Sequence, residues 1–192
     1  MKKELIDDIV RETITYTSSK WIIERIPFIF ENDLHTYITW KEKLSSLIGV
    51  DSKAIVLTGS SSVGFSLNPE KNLKPFNTDS DIDVAIISAH YFDISWHFLR
   101  NLGTRMYSLS QKEKNAIEDH RKRLIYWGTI ATDKIVQILP FGKEWVTAVE
   151  AMAKIKPTDG RQINFRIYKD FEALKAYHND GLKSIKDKLI IN

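Results

Sequence analysis

The sequence predicts an α+β fold, a small mixed β-sheet packed by helices, with a helical segment before it and a helix after it. Two observations predict this. Apolar residues in the first fifty positions recur at helical spacing. From residue 54 the pattern changes to short apolar runs with strand character, interleaved with helical stretches.

Residues 4–17 place Leu5, Ile6, Ile9, Val10 and Ile14 on one face and charged residues on the other, which predicts an amphipathic helix. Residues 20–30 are apolar and aromatic, broken by Pro27, and read as a buried connector. Asn32 or Asp33 is placed to cap a second helix that runs to Ile48, with a stripe of Leu34, Tyr37, Ile38, Leu44 and Ile48 and with Gly49 as its stop. Residues 54–58 read as a buried strand, 59–64 as a small-residue turn into a short helix, 67–78 as a loop, and 82–87 as the second strand. Helices are predicted over 91–102, 111–126 and 141–153. A third strand is predicted over 135–139, stopped by Pro140, and a fourth over 163–168. Residues 171–189 form a last amphipathic helix, with a break expected at Gly181. The linker-like stretch 156–160 is too short to separate two independent domains. The expected organisation is one domain over 1–192: a helical segment (1–50), a core (51–153) and a strand–helix appendage (154–192).

Composition narrows the function. Of 192 residues, 43% are hydrophobic and 28% charged, which suits a globular domain rather than a disordered chain. The net charge of +3 is too small for a nucleic-acid coat or a polybasic membrane anchor. With no Cys, there is no disulfide, zinc–thiolate site or cysteine nucleophile. The basic start is not followed by the apolar stretch of a signal peptide, and no run approaches the roughly 20 residues of a membrane span. A cytoplasmic protein with no membrane partner is expected.

The chemistry concentrates in residues 57–87. Gly59 and Gly64 match the outer glycines of a phosphate loop, but Phe65 stands where that loop needs lysine. A nucleophile elbow fails because Val63 replaces its second glycine. What remains is a strand–turn–helix whose backbone N–H groups and hydroxyls can hold a phosphate, or a tight turn that needs glycine for its conformation. On the next strand, Asp81 and Asp83 stand two apart and project to the same face, directly before Val84-Ala85-Ile86-Ile87. Two adjacent carboxylates at a buried strand repel each other and lose solvation, and a hard divalent cation relieves both costs. A solvated strand end, helped by Asp79, is the simpler reading of that pair alone.

Taken together, Leu57-Thr58-Gly59-Ser60, Gly64 and Ser80-Asp81-Ile82-Asp83-Val84-Ala85 resemble the signature of the DNA polymerase beta-like nucleotidyltransferases, over residues 54–88 and more loosely to 140. The resemblance implies transfer of NMP or dNMP from a nucleoside triphosphate to a hydroxyl. It implies two Mg²⁺ or Mn²⁺ ions about 3.5–4 Å apart. Asp81 and Asp83 would hold the metals, and Gly59, Ser60, Ser61 and Gly64 the triphosphate. The family's third carboxylate comes from a later strand. On 133–139 the mid-strand position is Gln137, so Asp133, on the same face, is the candidate for metal binding or proton removal.

Other residues bear on the substrate. Asn164, Arg166 and Tyr168 alternate with Phe165 and Ile167; their face either meets a triphosphate or sugar, or lines a half-exposed edge strand. Lys71 and Lys74 either reach phosphates or are solvated loop lysines, and 120–123 (His-Arg-Lys-Arg) is a solvated helix face or a guide for anionic substrates. Tyr126 and Trp127 read as a core aromatic pair or a base-stacking platform. The five His residues match no zinc motif. Tyr168 or Tyr177 could offer an acceptor hydroxyl.

Only about fifty residues follow Pro140, so the chain is near the minimum for such an enzyme. Three outcomes are open: synthesis of oligonucleotides or signal nucleotides, as in antiphage-defence members; nucleotidylation of a protein, as in antitoxin-type members; or loss of catalysis with retained binding of nucleotide, effector or toxin. A second subunit could complete the site. Outside the family, a helical interaction module with a surface around residues 21–30 is the alternative.

Overall fold

The structure, a computed structural model, describes residues 1–191. It is an α+β fold built on one four-stranded mixed sheet: β1 (Ile55–Thr58), β2 (Ile82–Ile87), β3 (Thr129–Ala131) and β4 (Ile163–Tyr168), in the order β1-β2-β4-β3. β2 is antiparallel to β1 and parallel to β4, and β3 closes the far edge antiparallel to β4.

The helical segment is divided more finely than its pattern predicts. Helix α1 (Lys2–Arg11) stops at Glu12, because Thr13 caps a new short helix α2 (Ile14–Ser18) by accepting from the Tyr16 N–H. A π-helical turn over Ser19–Ile23 and a 3₁₀ turn over Phe28–Phe30 form the connector, in which Trp21, Ile22 and Phe30 are buried as expected. Asp33 caps α3 (Leu34–Ile48), and Gly49 ends it in the left-handed region at φ 67°. Its buried face is Tyr37, Trp40, Leu44 and Ile48, while Leu34 and Ile38 of the predicted stripe are exposed.

Helix α4 (Gly59–Val63) follows β1 directly; α5 (Ala89–Arg100), α6 (Gln111–Asp119) and α7 (Gly142–Met152) follow β2. A capping box of Ser110 and Glu113 opens α6. The predicted third strand, 135–139, is corrected: these residues lie in 3₁₀ turns, Thr132–Lys134 and Val136–Ile138. Ile135 and Leu139 are buried there, so the run is apolar because it packs in the core, not because it pairs. The edge reading of 163–168 is also corrected, since β4 lies inside the sheet. Finally, α8 (Phe171–Ile191) passes through Gly181 without a break. Gly181 lies where a Cβ would stand 3.6 Å from the Leu67 carbonyl, so the helix runs close to that loop.

The sheet has two unlike faces. Ile55, Leu57, Ile82, Val84, Ile86, Phe165 and Ile167 point into the main core, shared with Trp40 of α3 and Trp145 of α7. The 156–160 stretch is tied to that core: buried Thr158 accepts from the Trp40 indole N–H at 2.9 Å and donates to the Met152 carbonyl at 2.8 Å. On the opposite face Val56, Ala85 and Tyr168 are buried together with Leu174 of α8. Beyond them α1, the π-helical turn and α8 enclose a second core of Leu5, Ile9, Trp21, Ile22, Leu182 and Ile185. Among the described residues, no helix is long and apolar enough to cross a membrane.

Candidate functional site

The site lies at the polar end of the second sheet face. Register fixes which side chains meet there. Thr58 of β1 and Asn164 of β4 both pair with Asp83, and Arg166 of β4 pairs with Ala85. Paired residues point to the same face, so Asp83, Asn164 and Arg166 stand side by side, with Asp81 two residues before Asp83.

Each is held from outside the strand. The Asn164 amide donates to Asp81 Oδ2 at 2.9 Å and accepts from the Gln162 amide at 2.9 Å. Arg161 donates to the carbonyls of Asn77, Thr78 and Ser80 and lies 4.7 Å over the Phe76 ring, clamping the turn that delivers Asp81. Gly59, at φ 62°, is the residue against which Asp83 rests: a Cβ there would lie 2.5 Å from Asp83 Oδ2. The glycine therefore serves both the left-handed backbone and the close approach of a carboxylate.

Burial and, secondly, the charge of Asp81 push the Asp83 carboxyl up to about 6, even though Arg166 and Lys71 pull the other way. Burial would lower Arg166, but Tyr168, Tyr177 and Asp83 more than offset it, so the guanidinium stays charged. It lies 4.8 Å over the Tyr177 ring, and its Nη1 is buried with no hydrogen-bond partner. His178 of α8 borders the same space with a buried, unpartnered Nε2; burial, reinforced by Arg166, lowers it to about 4, leaving a neutral imidazole.

Three adjoining clefts meet at Asp81. One, about 510 Å³, is lined by Ser60, Ser66, Lys71, Lys74 and Arg161. A second, also about 510 Å³, is lined by Gly59, Ser60, Lys71, Asp83, Arg123 and Trp127, with Tyr177 and His178. The third, about 300 Å³, is lined by Asp83, Asn164, Arg166 and Asp133. Both loop lysines thus face a cleft.

The predicted residues divide accordingly. Gly59, Ser60, Asp81, Asp83 and Arg166 come together, and Asp133 looks onto the smallest cleft from the 3₁₀ turn after β3. Among the described residues, no three carboxylates or imidazoles converge closely enough to hold one ion. Gln137 is exposed on its turn and is not the strand neighbour of Asp83; Asn164 is. Ser61 is buried and spends its hydroxyl on the Thr58 carbonyl, while Gly64, at φ 86°, packs against Met1 and Phe28. Neither faces a cleft. Tyr126 is 86% exposed, so it forms no core pair with Trp127.

The basic run also separates. His120 is buried: its Nδ1 donates to the Ala116 carbonyl at 2.6 Å and its Nε2 accepts from the Ala131 N–H at 3.0 Å, a neutral structural histidine. Arg121 and Lys122 pair with Glu118, and Arg123 pairs with Asp119 beside the second cleft. Trp127, which the sequence offered as a stacking residue as well as a core one, lines a cleft with the aspartates, and sequence reasoning missed His178 there. Asn164 carried a signal, its alternation with Arg166, but not its place beside Asp83.

No family model matches the chain, and neither a curated protein nor a solved structure matches it at a significant level.

Proposed function

We propose that the protein is a metal-dependent nucleotidyltransferase, similar in design to the DNA polymerase beta-like enzymes, that moves NMP or dNMP from a nucleoside triphosphate to a hydroxyl acceptor. One observation carries the reading: an exposed Asp81 beside a partly buried Asp83, the latter pushed up to about 6, stands where a lysine-lined cleft meets an aromatic one. A solvated strand end would leave neither carboxyl perturbed by burial.

The donor set fits a hard divalent cation. Asp81 and Asp83 offer oxygen ligands that project together, and burial with the charge of Asp81 outweighs the pull of Arg166 and Lys71 on Asp83. Mg²⁺ or Mn²⁺, held by these two residues, would neutralise phosphate charge during the transfer. The other residues bind and orient. Ser60, Lys71 and Lys74 suit the triphosphate, and Trp127 with Tyr177 suits a base or the acceptor. In the transfer, the acceptor oxygen bonds to the α-phosphorus, the bond to the leaving oxygen breaks, and pyrophosphate departs. Asp133, which lines the smallest of the three clefts, is the candidate to take the hydroxyl proton. We favour a nucleotide or oligonucleotide acceptor, as in signal-nucleotide synthesis and antiphage defence, because Trp127 and Tyr177 line a cleft of about 510 Å³ beside the aspartates.

A second reading, a protein that binds nucleotide without transferring it, is favoured by Asn164 standing beside Asp83 where a further carboxylate would serve. One experiment separates these readings. The protein is incubated with each α-labelled NTP and dNTP in Mg²⁺ or Mn²⁺, next to an Asp81→Ala/Asp83→Ala control. Label in a soluble product names a polymerase or signal synthase; label on the protein names a protein acceptor. No label, with no gain in melting temperature when triphosphate and metal are both present, would sink the enzyme reading.

A further inference from the structure

We propose that this site takes a single divalent cation, on Asp81 and Asp83, and that Arg166 supplies as a fixed side chain the positive charge of a second ion. The proposal rests on the nucleotidyltransferase reading and departs from the two-ion chemistry which that resemblance implies.

The ligands are counted first. A second ion needs a carboxylate shared from the neighbouring strand. Here the neighbour of β2 is β4, and its residue opposite Asp83 is Asn164. That amide is committed: its nitrogen donates to Asp81 Oδ2 at 2.9 Å, and its oxygen accepts from Gln162. It occupies a lone pair of Asp81 and presents a donor, not a ligand, to the site. Asp133 lies on a turn beyond β4, and no third carboxylate or imidazole among the described residues converges with the aspartate pair.

Charge gives the second argument. Two residues along β4, on the same face, stands Arg166, whose Nη1 is buried without a partner. Asp81, Asp83 and Arg166 together carry −1. One divalent ion turns this to +1, and a second would set like charge beside a guanidinium that cannot lose its proton. The guanidinium is also held in place over Tyr177 at 4.8 Å, so it acts without being recruited from solution.

The test counts ions rather than turnover. The full chain at pH 7.5 is titrated with Mn²⁺ alone, and bound ion is read from the loss of the free-ion EPR signal. The expected result is one Mn²⁺ per chain, no ion in this range for Asp81→Asn, and a second, spin-coupled Mn²⁺ in Asn164→Asp. Asn164→Ala, which frees Asp81 without adding a carboxylate, still binds one. Melting in EDTA checks that each variant is folded. Two ions on the unaltered chain, or a folded Asn164→Asp that still binds one, overturns the proposal and leaves nucleotidyl transfer standing. No bound ion at all overturns both. One ion on a chain that transfers no label overturns only the enzyme reading.

Discussion

Replacing Asp83 by Asn should make the protein more stable at neutral pH. The side chains have nearly the same shape, so the exchange chiefly removes a charge. The ordinary carboxyl value is 3.8, and burial, then Asp81, raises Asp83 to about 6. A raised acid is held more tightly protonated in the folded state, so its ionisation costs nothing well below 3.8, costs more as pH rises from 3.8 to about 6, and reaches its full cost above that. The difference of about 2.2, at about 1.36 kcal/mol per pH unit, is about 3 kcal/mol at pH 7. The same linkage leaves about 1 kcal/mol at pH 4.5. For a chain of this length, about 3 kcal/mol corresponds to a gain of roughly 6–12 °C in Tm. Urea unfolding of both chains in EDTA at pH 7 and pH 4.5 measures it. The reasoning fails if Asp83→Asn is equally or less stable at pH 7, or if its advantage is the same at both pH values. A confirmed result would mean that the aspartate is kept at the expense of stability, as a working group would be.

Gly59→Ala should cost about 2 kcal/mol, from left-handed backbone and from the clash of its Cβ with Asp83; the cost should shrink in an Asp83→Ala background, as a double-mutant cycle in urea would reveal. Thr158→Val leaves the buried Trp40 indole N–H without its acceptor and should destabilise by about 1–3 kcal/mol, with little change in the denaturant slope. His120 is lowered by burial, so the unfolded chain binds its proton more readily and stability should fall as pH drops below 6.5. His120→Gln should flatten that dependence between pH 5 and 7; an unchanged slope would place the effect elsewhere.

How far the sequence disclosed this molecule depended on whether a signal was local. The Asp33 cap, strands β1 and β2, and the same-face pairing of Asp81 and Asp83 follow from neighbours in the chain, and all are present. The errors arose where distant packing decides. Residues 135–139 and 129–131 illustrate it: the longer apolar run folds into a turn that buries Ile135 and Leu139, whereas only three residues, Thr129-Ile130-Ala131, make the pairing strand. A run that short carries no period to detect. With the third strand misplaced, Gln137 took the position that belongs to Asn164. Gly181 misled for a related reason, since the helix runs through it past the Leu67 loop, a neighbour invisible locally. The clefts draw Lys71 from a loop, Trp127 from the approach to β3 and His178 from the last helix, and no spacing in the chain connects these three.

The second core has a consequence for synthesis. Leu5 and Ile9 of α1 are buried against a helix that begins at Phe171, about 160 residues after α1 ends. At roughly 5–20 residues per second, a ribosome needs roughly 8–32 s to make that intervening chain. Throughout that interval the apolar face of α1 has Trp21 and Ile22 beside it but lacks the cover of Leu182 and Ile185, a natural target for a chaperone. The same helix α8 supplies Tyr177 and His178, so a stalled or truncated chain lacks one wall of the clefts as well as the seat for its own beginning. Closure of the clefts and docking of the first helix become one late event in the life of the polypeptide.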